Sequence, residues 1–278
     1  MATATNALDL ENIELELLLE AIYRGYGYDF RQYARASLKR RIIDFARDEQ
    51  IESLSVLQDK VLHNAAVMDR LLLAITVNVS SMFRDPAFFL AFRAKVIPYL
   101  RTYPFIRIWH AGCSTGEEVY SMAILLEEEG LADRTRIYAT DMNQGVLQKA
   151  REGIFRLSAM QDYTKNYLDA GGMKSFSEYY TAAYDHAILR PALRRNVVFA
   201  QHNLVTDSTF NEFHVIVCRN VMIYFNRALQ SRVHELLHQS LVLFGMLGLG
   251  NKENMRFTPH EQDYDAVDRE QKIYRRVK

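Results

Sequence analysis

The stretch "IRIWHAGCSTGEEVYSMAIL", residues 106–125, decides the fold class of this 278-residue chain. A short apolar run rich in β-branched and aromatic residues leads into a turn between Gly112 and Gly116, and an amphipathic helical pattern follows. A strand, a glycine turn and a helix in this order begin a nucleotide-binding sheet, but they also build the nucleophile elbow of a hydrolase. Ser114 occupies the serine position of the G-x-S-x-G elbow pattern, so both interpretations require testing against the rest of the chain.

Strand-like and helix-like segments alternate after residue 105. The predicted strands are "RIYATD", "NVVFAQHN", "FHVIVCRN" and "MLGLGN", and the predicted helices are "NQGVLQKAREGIF" and "RALQSRVHELLHQSLVLFG". The final segment, "QKIYRRVK", predicts a strand that closes the sheet at an edge. Alternation of this kind predicts an α/β fold with a doubly wound, mostly parallel sheet.

Three further parts of the chain follow other patterns. Apolar residues recur at helical spacing in the first hundred residues, which predicts a helical N-terminal domain over residues 1–85 and a linker helix over 86–104. The α/β domain then covers 105–278. Within it, residues 156–195 are rich in tyrosine and charge and break the alternation. Because a structureless loop of that length is rare in a compact domain, we expect an inserted subdomain there.

Composition excludes several classes of protein. Lys plus Arg and Asp plus Glu each number 34, so no net field attracts nucleic acid or an anionic membrane. No apolar run approaches the roughly 20 residues of a membrane helix, and the acidic N-terminus does not resemble a signal peptide. Two cysteines make no disulfide framework. We therefore expect a cytoplasmic monomer that neither binds nucleic acid nor inserts into a membrane.

Two hydrolase interpretations find little support. The elbow around Ser114 lacks a preceding HGGG-like oxyanion loop and lies on the first strand of the sheet. The segment "HELLH", residues 234–238, fits the zinc pattern H-E-x-x-H through His234, Glu235 and His238, and Glu253 or Glu261 would have to supply a third ligand. A packing stripe explains the same helix without a metal, through Val233, Leu236, Leu237, Ser240 and Leu241. A zinc hydrolase stays an alternative, but we expect no metal.

The turn after the first strand favours a particular kind of nucleotide ligand. Glu117 and Glu118 begin the helix, where they would repel a phosphate but could bind an ammonium group. Asp141 ends the second strand, where an acidic residue can hold ribose hydroxyls. A ligand with a ribose and a cationic amine but no phosphate is indicated, and S-adenosylmethionine fits that description.

Five ordered motifs carry a family resemblance. They are "TVNVSSMFRDPAFF" (76–89), "STGEEVYSMAI" (114–124), "IYATDMNQGVLQKAREGIF" (137–155), "HNLVTD" (202–207) and "CRNVMIYF" (218–225). The chain resembles the CheR-type chemoreceptor glutamate methyltransferases from about Tyr28 to its C-terminus. The resemblance implies an all-α N-terminal domain, a Rossmann-like methyltransferase domain with a small inserted β-subdomain, and the cofactor S-adenosylmethionine with S-adenosylhomocysteine as product. Ser114 would then belong to the cofactor loop.

The resemblance also implies the roles of individual residues. Glu117 would hold the methionine amino group and Asp141 the ribose, while Arg84 and Tyr224 would border the transferring methyl group as catalytic residues. The complete set of implied cofactor-binding residues is Asn78, Ser80, Arg84, Glu117, Asp141, Asn203, Leu204, Arg219 and Asn220. The reaction would join the methyl group to glutamate carboxylates of a receptor, forming methyl esters.

A basic ridge recurs at i, i+4 and i+8 on the second predicted helix. It contains Arg31, Arg35 and Lys39, with Arg40 and Arg47 nearby. Such a face can simply be solvated. The resemblance implies instead that it docks on the acidic cytoplasmic helical bundle of a methyl-accepting chemoreceptor, where complementary charge speeds association.

Departures from the family pattern leave other targets open. Val119 replaces the usual proline, Ser80 replaces threonine, and "GNKEN" (250–254) stands where G-H-S-E is usual. The target could therefore be a signalling protein outside chemotaxis. A nucleobase methyltransferase would carry an N-P-P-Y-like motif where this chain has "NVMI" (220–223), and a non-catalytic relative would have a degraded pocket.

Overall fold

The computed structural model describes residues 7–76 and 80–278, which divide into two compact units. One unit comprises Met1–Val77 with Tyr224–Gln230, and the other comprises Asn78–Ile223 with Ser231–Lys278. Asn78, one of the predicted cofactor-binding residues, lies outside the described residues. No helix in the described ranges is long and apolar enough to cross a lipid bilayer.

The first unit is helical. Its elements are α1 (Ala7–Tyr26), α2 (Arg35–Asp48), α3 (Leu54–His63) and α4 (Ala65–Ile75). Two polar side chains set helix starts, since Ser53 accepts from the Val56 amide and Asn64 from the Ala66 amide. The four helices bury one apolar face each, represented by Leu18, Ile42, Leu57 and Leu71. The short segment Tyr224–Gln230 joins them through the Tyr33–Phe225 bridge.

The second unit contains a seven-stranded sheet. Helices α5 (Pro86–Lys95) and α6 (Ile97–Leu100), which cover part of the predicted linker, belong to this unit. The strands are β1 (Ile106–Ala111), β2 (Thr135–Asp141), β6 (Val197–Gln201), β7 (Phe213–Cys218), β8 (Leu241–Leu249), β9 (Tyr264–Asp268) and β10 (Ile273–Arg276). The helices are α7 (Glu117–Glu128), α8 (Gln144–Glu152), and α10 (Arg227–Ser240), which crosses the division between units at residue 230.

Strand order places a ligand site at β1. The order is β6-β2-β1-β7-β8-β10-β9, and the first five strands run parallel. The chain proceeds outward from β1 through β2 to β6 and then returns to the other side of β1 at β7. The strand order therefore reverses between β1 and β7. In doubly wound sheets ligands bind outside the carboxyl ends of the strands at such a reversal. The predicted α/β class is confirmed.

Two predictions about the last elements are wrong. The helix expected to continue through "LVLFG" ends at Ser240, and Leu241 begins β8. These apolar, partly β-branched and aromatic residues suit either structure, and a β-bulge with Phe244 at φ +65° lets them join the sheet. The strand β10 does not close the sheet at an edge, because it pairs with β8 on one side and with the unpredicted edge strand β9 on the other.

The segment that interrupts the alternation forms a small sheet and a helix. Strands β3 (Ile154–Arg156), β4 (Tyr180–Ala183) and β5 (His186–Leu189) pair antiparallel in the order β3-β5-β4, and α9 covers Met160–Asp169. The Glu128 carboxylate of α7 accepts hydrogen bonds from the hydroxyls of Tyr167 and Tyr179 and pairs with Arg93. Burial raises the pKa of Glu128, but these partners outweigh it and hold the pKa below its ordinary value. An ionised buried carboxylate thus anchors the inserted segment to α7.

Candidate functional site

The turns that follow β1 and β2 are held together by Asp141. One carboxylate oxygen accepts from the Ser114 amide (3.0 Å) and the other from the Asn143 amide (3.0 Å). The φ of Gly112 is +79°, and a Cβ there would lie 2.5 Å from a Val221 methyl, so only glycine fits. The Met142 amide also hydrogen-bonds this carboxylate, and three amides leave about one of its four lone-pair positions open. The carboxylate can therefore hold the loop and still accept a hydrogen bond from a ribose hydroxyl.

Ser114 lacks the partner that a nucleophile needs. Its Oγ is buried, and it has no hydrogen-bond partner within the described ranges. A serine nucleophile requires a base within hydrogen-bond reach. Ser114 therefore lies in a turn that is held through its backbone amide by Asp141.

Glu117 is a buried carboxylate without a cation. It is 7% exposed, accepts from the Thr115 hydroxyl (2.7 Å) and is hydrogen-bonded by Ser80. Burial raises its pKa above the ordinary value, against the effect of those hydrogen bonds. Within the described parts of the chain it forms no ion pair. Because a desolvated carboxylate is costly without a partner charge, an ammonium group of a ligand fits this position.

The neighbouring Glu118 is already paired. One of its oxygens contacts His110 Nδ1 (3.0 Å), and the other accepts from Arg219 Nη1 (2.8 Å). Burial raises the pKa of Glu118, but the His110 hydrogen bond and the Arg219 charge outweigh it and lower the pKa below its ordinary value. Of the two neighbouring carboxylates, Glu117 is therefore the one without a cationic partner among the described residues.

Arg219 joins three elements at the carboxyl end of β7. Besides Glu118 of α7, its guanidinium donates to Asp85 at the start of α5 (2.7 Å) and lies 4.2 Å from the ring centre of Phe88. The residue is 6% exposed. Both terminal nitrogens of Arg219 are in ion pairs, whereas its buried Nε has no hydrogen-bond partner among the described residues. Arg219 therefore connects three elements of the site, and its predicted contact with the cofactor stays a prediction.

Arg84 is exposed between two residues in strained backbone conformations. Phe83 and Asp85 have φ values of +51° and +57°, in the left-handed region that non-glycine residues rarely adopt. The hydrogen bond from the Phe83 amide to Ser121 Oγ (2.8 Å) and the Asp85–Arg219 ion pair hold this turn in place. Strain of this kind is concentrated at functional sites, and here it directs Arg84 outward.

Two loops complete the carboxyl edge of the sheet. After β6, the side-chain oxygen of Asn203 accepts a hydrogen bond from the Val205 backbone amide (3.0 Å). The backbone amide of Asn203 donates to the Asp207 carboxylate, and Leu204 is buried. After β7, Asn220 has φ +61°. Asn203 therefore shapes its own turn, and its predicted contact with the adenine stays a prediction.

Glu253 is a residue that sequence reasoning did not place in the site. Its carboxylate accepts four backbone amides, from Gly250 (2.7 Å), Asn220 (2.9 Å), Val221 (2.9 Å) and Met222 (2.8 Å). Burial raises its pKa, against the effect of these amides. In the sequence, the one signal is that Glu253 follows Gly250 by three residues. This spacing could not reveal which backbone amides would converge on the Glu253 carboxylate.

The zinc set considered from the sequence is not assembled. His234 is 3% exposed, and burial lowers its pKa to about 4. Glu253 is committed to backbone amides, and Glu261 accepts from the Phe257 amide (2.9 Å). The H-E-x-x-H helix therefore does not supply a catalytic zinc site with the ligands expected.

Most of the predicted basic ridge is paired within the first unit. Arg31 contacts Glu20 and Asp29, Arg35 contacts Glu16, and Lys39 contacts Glu11. Solvent screens such ion pairs between exposed or half-exposed side chains, so they contribute little to stability. Arg47 pairs with Asp44 on its own helix, and Arg40 is exposed.

Tyr224 belongs to the first unit. Its carbonyl accepts from the Ala34 amide (2.8 Å), and the Arg41 guanidinium lies 4.6 Å from its ring centre. Ser80, Arg84, Glu117, Asp141 and the other described cofactor candidates belong to the second unit.

Sequence comparisons identify both parts of the chain. Residues 78–273 match the family described as "CheR methyltransferase, SAM binding domain", where SAM is S-adenosylmethionine, and residues 13–76 match "CheR methyltransferase, all-alpha domain". The "Putative methyltransferase Cher3" of Pseudomonas putida is 51% identical over 95% of this chain and 97% of its own length. The "Chemotaxis protein methyltransferase" of Salmonella typhimurium is 30% identical over 90% of this chain and 86% of its own. That of Listeria monocytogenes is 28% identical over 84% and 87%.

Replacing Glu253 by Gln should destabilise the loop after β7. The amide group of glutamine would turn a donor toward backbone donors, and each buried amide left unsatisfied costs about 1–3 kcal/mol. We expect the free energy of unfolding in urea to fall by at least that amount. Glu261→Gln is the control, because Glu261 is exposed and accepts one amide. Equal stability of the two variants would contradict the assignment.

Replacing Glu117 by Gln should weaken the binding of S-adenosylhomocysteine about 10- to 100-fold at neutral pH, because a hydrogen bond to a charged group is lost. In the unaltered chain the affinity should fall as the pH drops through the raised pKa of Glu117, since the carboxyl then gains a proton. The Gln variant should lose this pH dependence. Titration calorimetry across the acidic range measures both effects, with Glu127→Gln, at the far end of α7, as the control. A Gln variant that kept the same pH dependence would exclude Glu117 as the ammonium partner.

Proposed function

The chain belongs to the CheR family of S-adenosylmethionine-dependent methyltransferases, and we propose that it esterifies glutamate side chains of a chemoreceptor or related signalling protein. The observation that carries this proposal is the buried carboxylate of Glu117, which has no cationic partner among residues 7–76 and 80–278, beside the Asp141 turn at the carboxyl edge of the sheet. The chemotaxis methyltransferases among its relatives support the choice of acceptor.

The residues at the site suit transfer to a carboxylate. When bound, S-adenosylmethionine supplies a sulfonium methyl group that an oxygen nucleophile can displace. A glutamate with an ordinary pKa near 4.3 is ionised at neutral pH, so the protein needs no general base. In agreement with this, Ser114 Oγ has no base beside it among the described residues. Alignment of the two reactants and exclusion of water would then supply most of the rate acceleration, to which effective molarity can contribute about 7–11 kcal/mol.

Arg84 is the proposed orienting group. It is exposed and carries a positive charge, and its two neighbours are fixed in left-handed backbone conformations. A guanidinium matches a carboxylate with two parallel hydrogen bonds. We propose that Arg84 orients a carboxylate, either that of the cofactor or that of the acceptor glutamate. The catalytic role of Tyr224 stays a prediction of the resemblance.

A second target class is favoured by one observation. Residues 250–254 read "GNKEN" where the family pattern has G-H-S-E, and this turn contacts the loop after β7 through Glu253. An acceptor outside chemotaxis would leave the cofactor residues unchanged and alter the surface that meets the protein substrate.

Transfer of a labelled methyl group tests the proposed function. The chain, labelled S-adenosylmethionine and cytoplasmic receptor fragments of the source organism should give a protein-bound label that mild base releases as methanol. Label that is stable to base would indicate N-methylation and contradict the proposal. Label that appears only with other signalling proteins would favour the second target class.

Arg84→Ala should abolish this transfer while binding of S-adenosylhomocysteine stays measurable. Arg101→Ala is the matched control, because Arg101 is an exposed arginine that pairs with Glu129. Normal turnover of the Arg84 variant would contradict its assignment as the orienting group.

We propose that the basic residues of α2 dock on the acidic helical bundle of the receptor. Arg40 and Arg47 test this, since reversing Arg31, Arg35 or Lys39 would also disrupt the ion pairs to α1. Arg40→Glu with Arg47→Glu should lower kcat/KM for receptor about tenfold at low salt, with a smaller effect at high salt. Lys60→Glu, an exposed basic residue on α3, is the control. If the double variant and the control behave alike, α2 does not dock on the receptor.

A further inference from the structure

Three side chains near the end of α10 could hold a metal ion. His238 lies in the last turn of α10, and His260 and Asp263 flank the turn before β9. One ligand atom from each of the three lies within 4.8 Å of the others. His260 Nδ1 is 3.0 Å from an Asp263 oxygen, and the His238 and His260 rings stack with centres 3.9 Å apart. All three side chains are partly exposed, so an ion can reach them.

One of these separations matches that of a zinc site, and the others lie within about 1.5 Å of it. Zinc binds imidazole nitrogen at about 2.0–2.1 Å and carboxylate oxygen at about 2.0–2.2 Å in a tetrahedron, which places neighbouring ligand atoms somewhat more than 3 Å apart. The His260–Asp263 pair already has this spacing. The two rings are nearly parallel, at 7°, so one must rotate for both nitrogens to point at one ion. The torsion that turns an imidazole ring is broad, and turning His238 gives up only its 3.3 Å contact with the Tyr264 hydroxyl, the longer of the two contacts that orient these rings.

Two neighbouring residues orient the ligands. His260 Nε2 is 2.7 Å from a Glu235 oxygen. A carboxylate on the far nitrogen of a metal-binding histidine fixes the tautomer and the direction of the ring. It leaves Nδ1 of His260 directed at Asp263. The Tyr264 hydroxyl lies 3.3 Å from His238 Nδ1 and orients the second ring in a similar way.

The charges around the three ligands are balanced. Glu235 and Asp263 contribute two negative charges, and Arg276 and Lys278 contribute two positive ones, since Arg276 donates to the His238 carbonyl (2.9 Å) and the charge of Lys278 acts on Asp263. The carboxyl end of α10 adds the negative end of a helix dipole, which favours a cation. Imidazole with carboxylate selects zinc-like ions over magnesium, which prefers oxygen ligands.

We propose that His238, His260 and Asp263 bind a divalent transition-metal ion of the zinc class, with Glu235 orienting His260 and water completing the coordination. The ion would join the end of α10 to the turn before the edge strand β9, and it would stabilise that end of the sheet. The site shares no residue with the cofactor set, so it is structural and independent of the proposed function. In this arrangement Glu235 orients a ligand and is not a general base.

Metal analysis of the full chain, prepared without a histidine tag, tests this inference. We expect one zinc ion to bind per chain in titration calorimetry and to raise Tm, while magnesium at the same concentration does neither. Cobalt(II) should bind with the strong visible absorption of a tetrahedral site. Absence of stoichiometric zinc binding would overturn the proposal and leave His260 as a histidine that simply bridges Glu235 and Asp263.

Variants assign the ligands. His260→Gln and Asp263→Asn should abolish stoichiometric binding, and Glu235→Gln should weaken it about 10- to 100-fold, the usual effect of losing an orienting partner. His63→Gln is the matched control, because His63 faces Asp59 at 3.1 Å on an exposed helix without a third ligand. Each variant should keep its affinity for S-adenosylhomocysteine, which shows that the sheet is intact. Zinc affinity unchanged in His260→Gln would overturn the assignment.

Discussion

The buried guanidinium of Arg219 is the interaction on which the rest of the site depends. It neutralises Glu118 of α7 and Asp85 at the start of α5, and so connects the end of β7 to two helices. Removing one member of such a buried group leaves a charge uncompensated, which typically costs 3–5 kcal/mol. The consequence for chemistry is indirect. Because Arg219 pairs with Glu118, the adjacent Glu117 is left as a desolvated carboxylate with which a cationic ligand can pair. The start of α7 would otherwise suit an anion, and this carboxylate adapts it to an ammonium group.

The same ion pairs connect Arg84 to the sheet. Asp85 has a left-handed backbone conformation, and its carboxylate is held by Arg219, while the Phe83 amide is held by Ser121 of α7. The conformational cost of this turn, of order 1–3 kcal/mol for each such residue, is offset by contacts that also order α7. Glu253 acts in a comparable way on the loop after β7, where its carboxylate accepts three amides of that loop and one amide of the turn after β8. Buried charges thus hold the backbone at the carboxyl edge of the sheet in place before any ligand binds.

Local patterns predicted the sheet, the glycine turn and the acidic residue after β2, because each of these depends on residues close together in the sequence. Gly112 illustrates this, since its positive φ and the nearby Val221 methyl exclude any side chain. Patterns could not predict the end of α10, where apolar residues suit a helix and a strand equally, nor the pairing of the basic ridge, where Glu16 and Arg35 meet only after α1 and α2 pack. The convergence of four amides on Glu253 also depends on tertiary contacts that no spacing rule contains.

The H-E-x-x-H segment shows that a sequence motif also cannot predict which side chains come together in the folded chain. The motif places two histidines on one helix face, but the burial of each depends on how the helix packs. In this fold His234 faces the interior, where burial keeps it neutral, while His238 lies beside His260 from a turn 22 residues further along the chain. Glu235 then meets His260 instead of a catalytic water. A motif that specifies the spacing of two ligands along one helix therefore does not identify the residues that complete a metal site. Here those residues come from a distant turn, and only distances and orientations in the folded chain identify them.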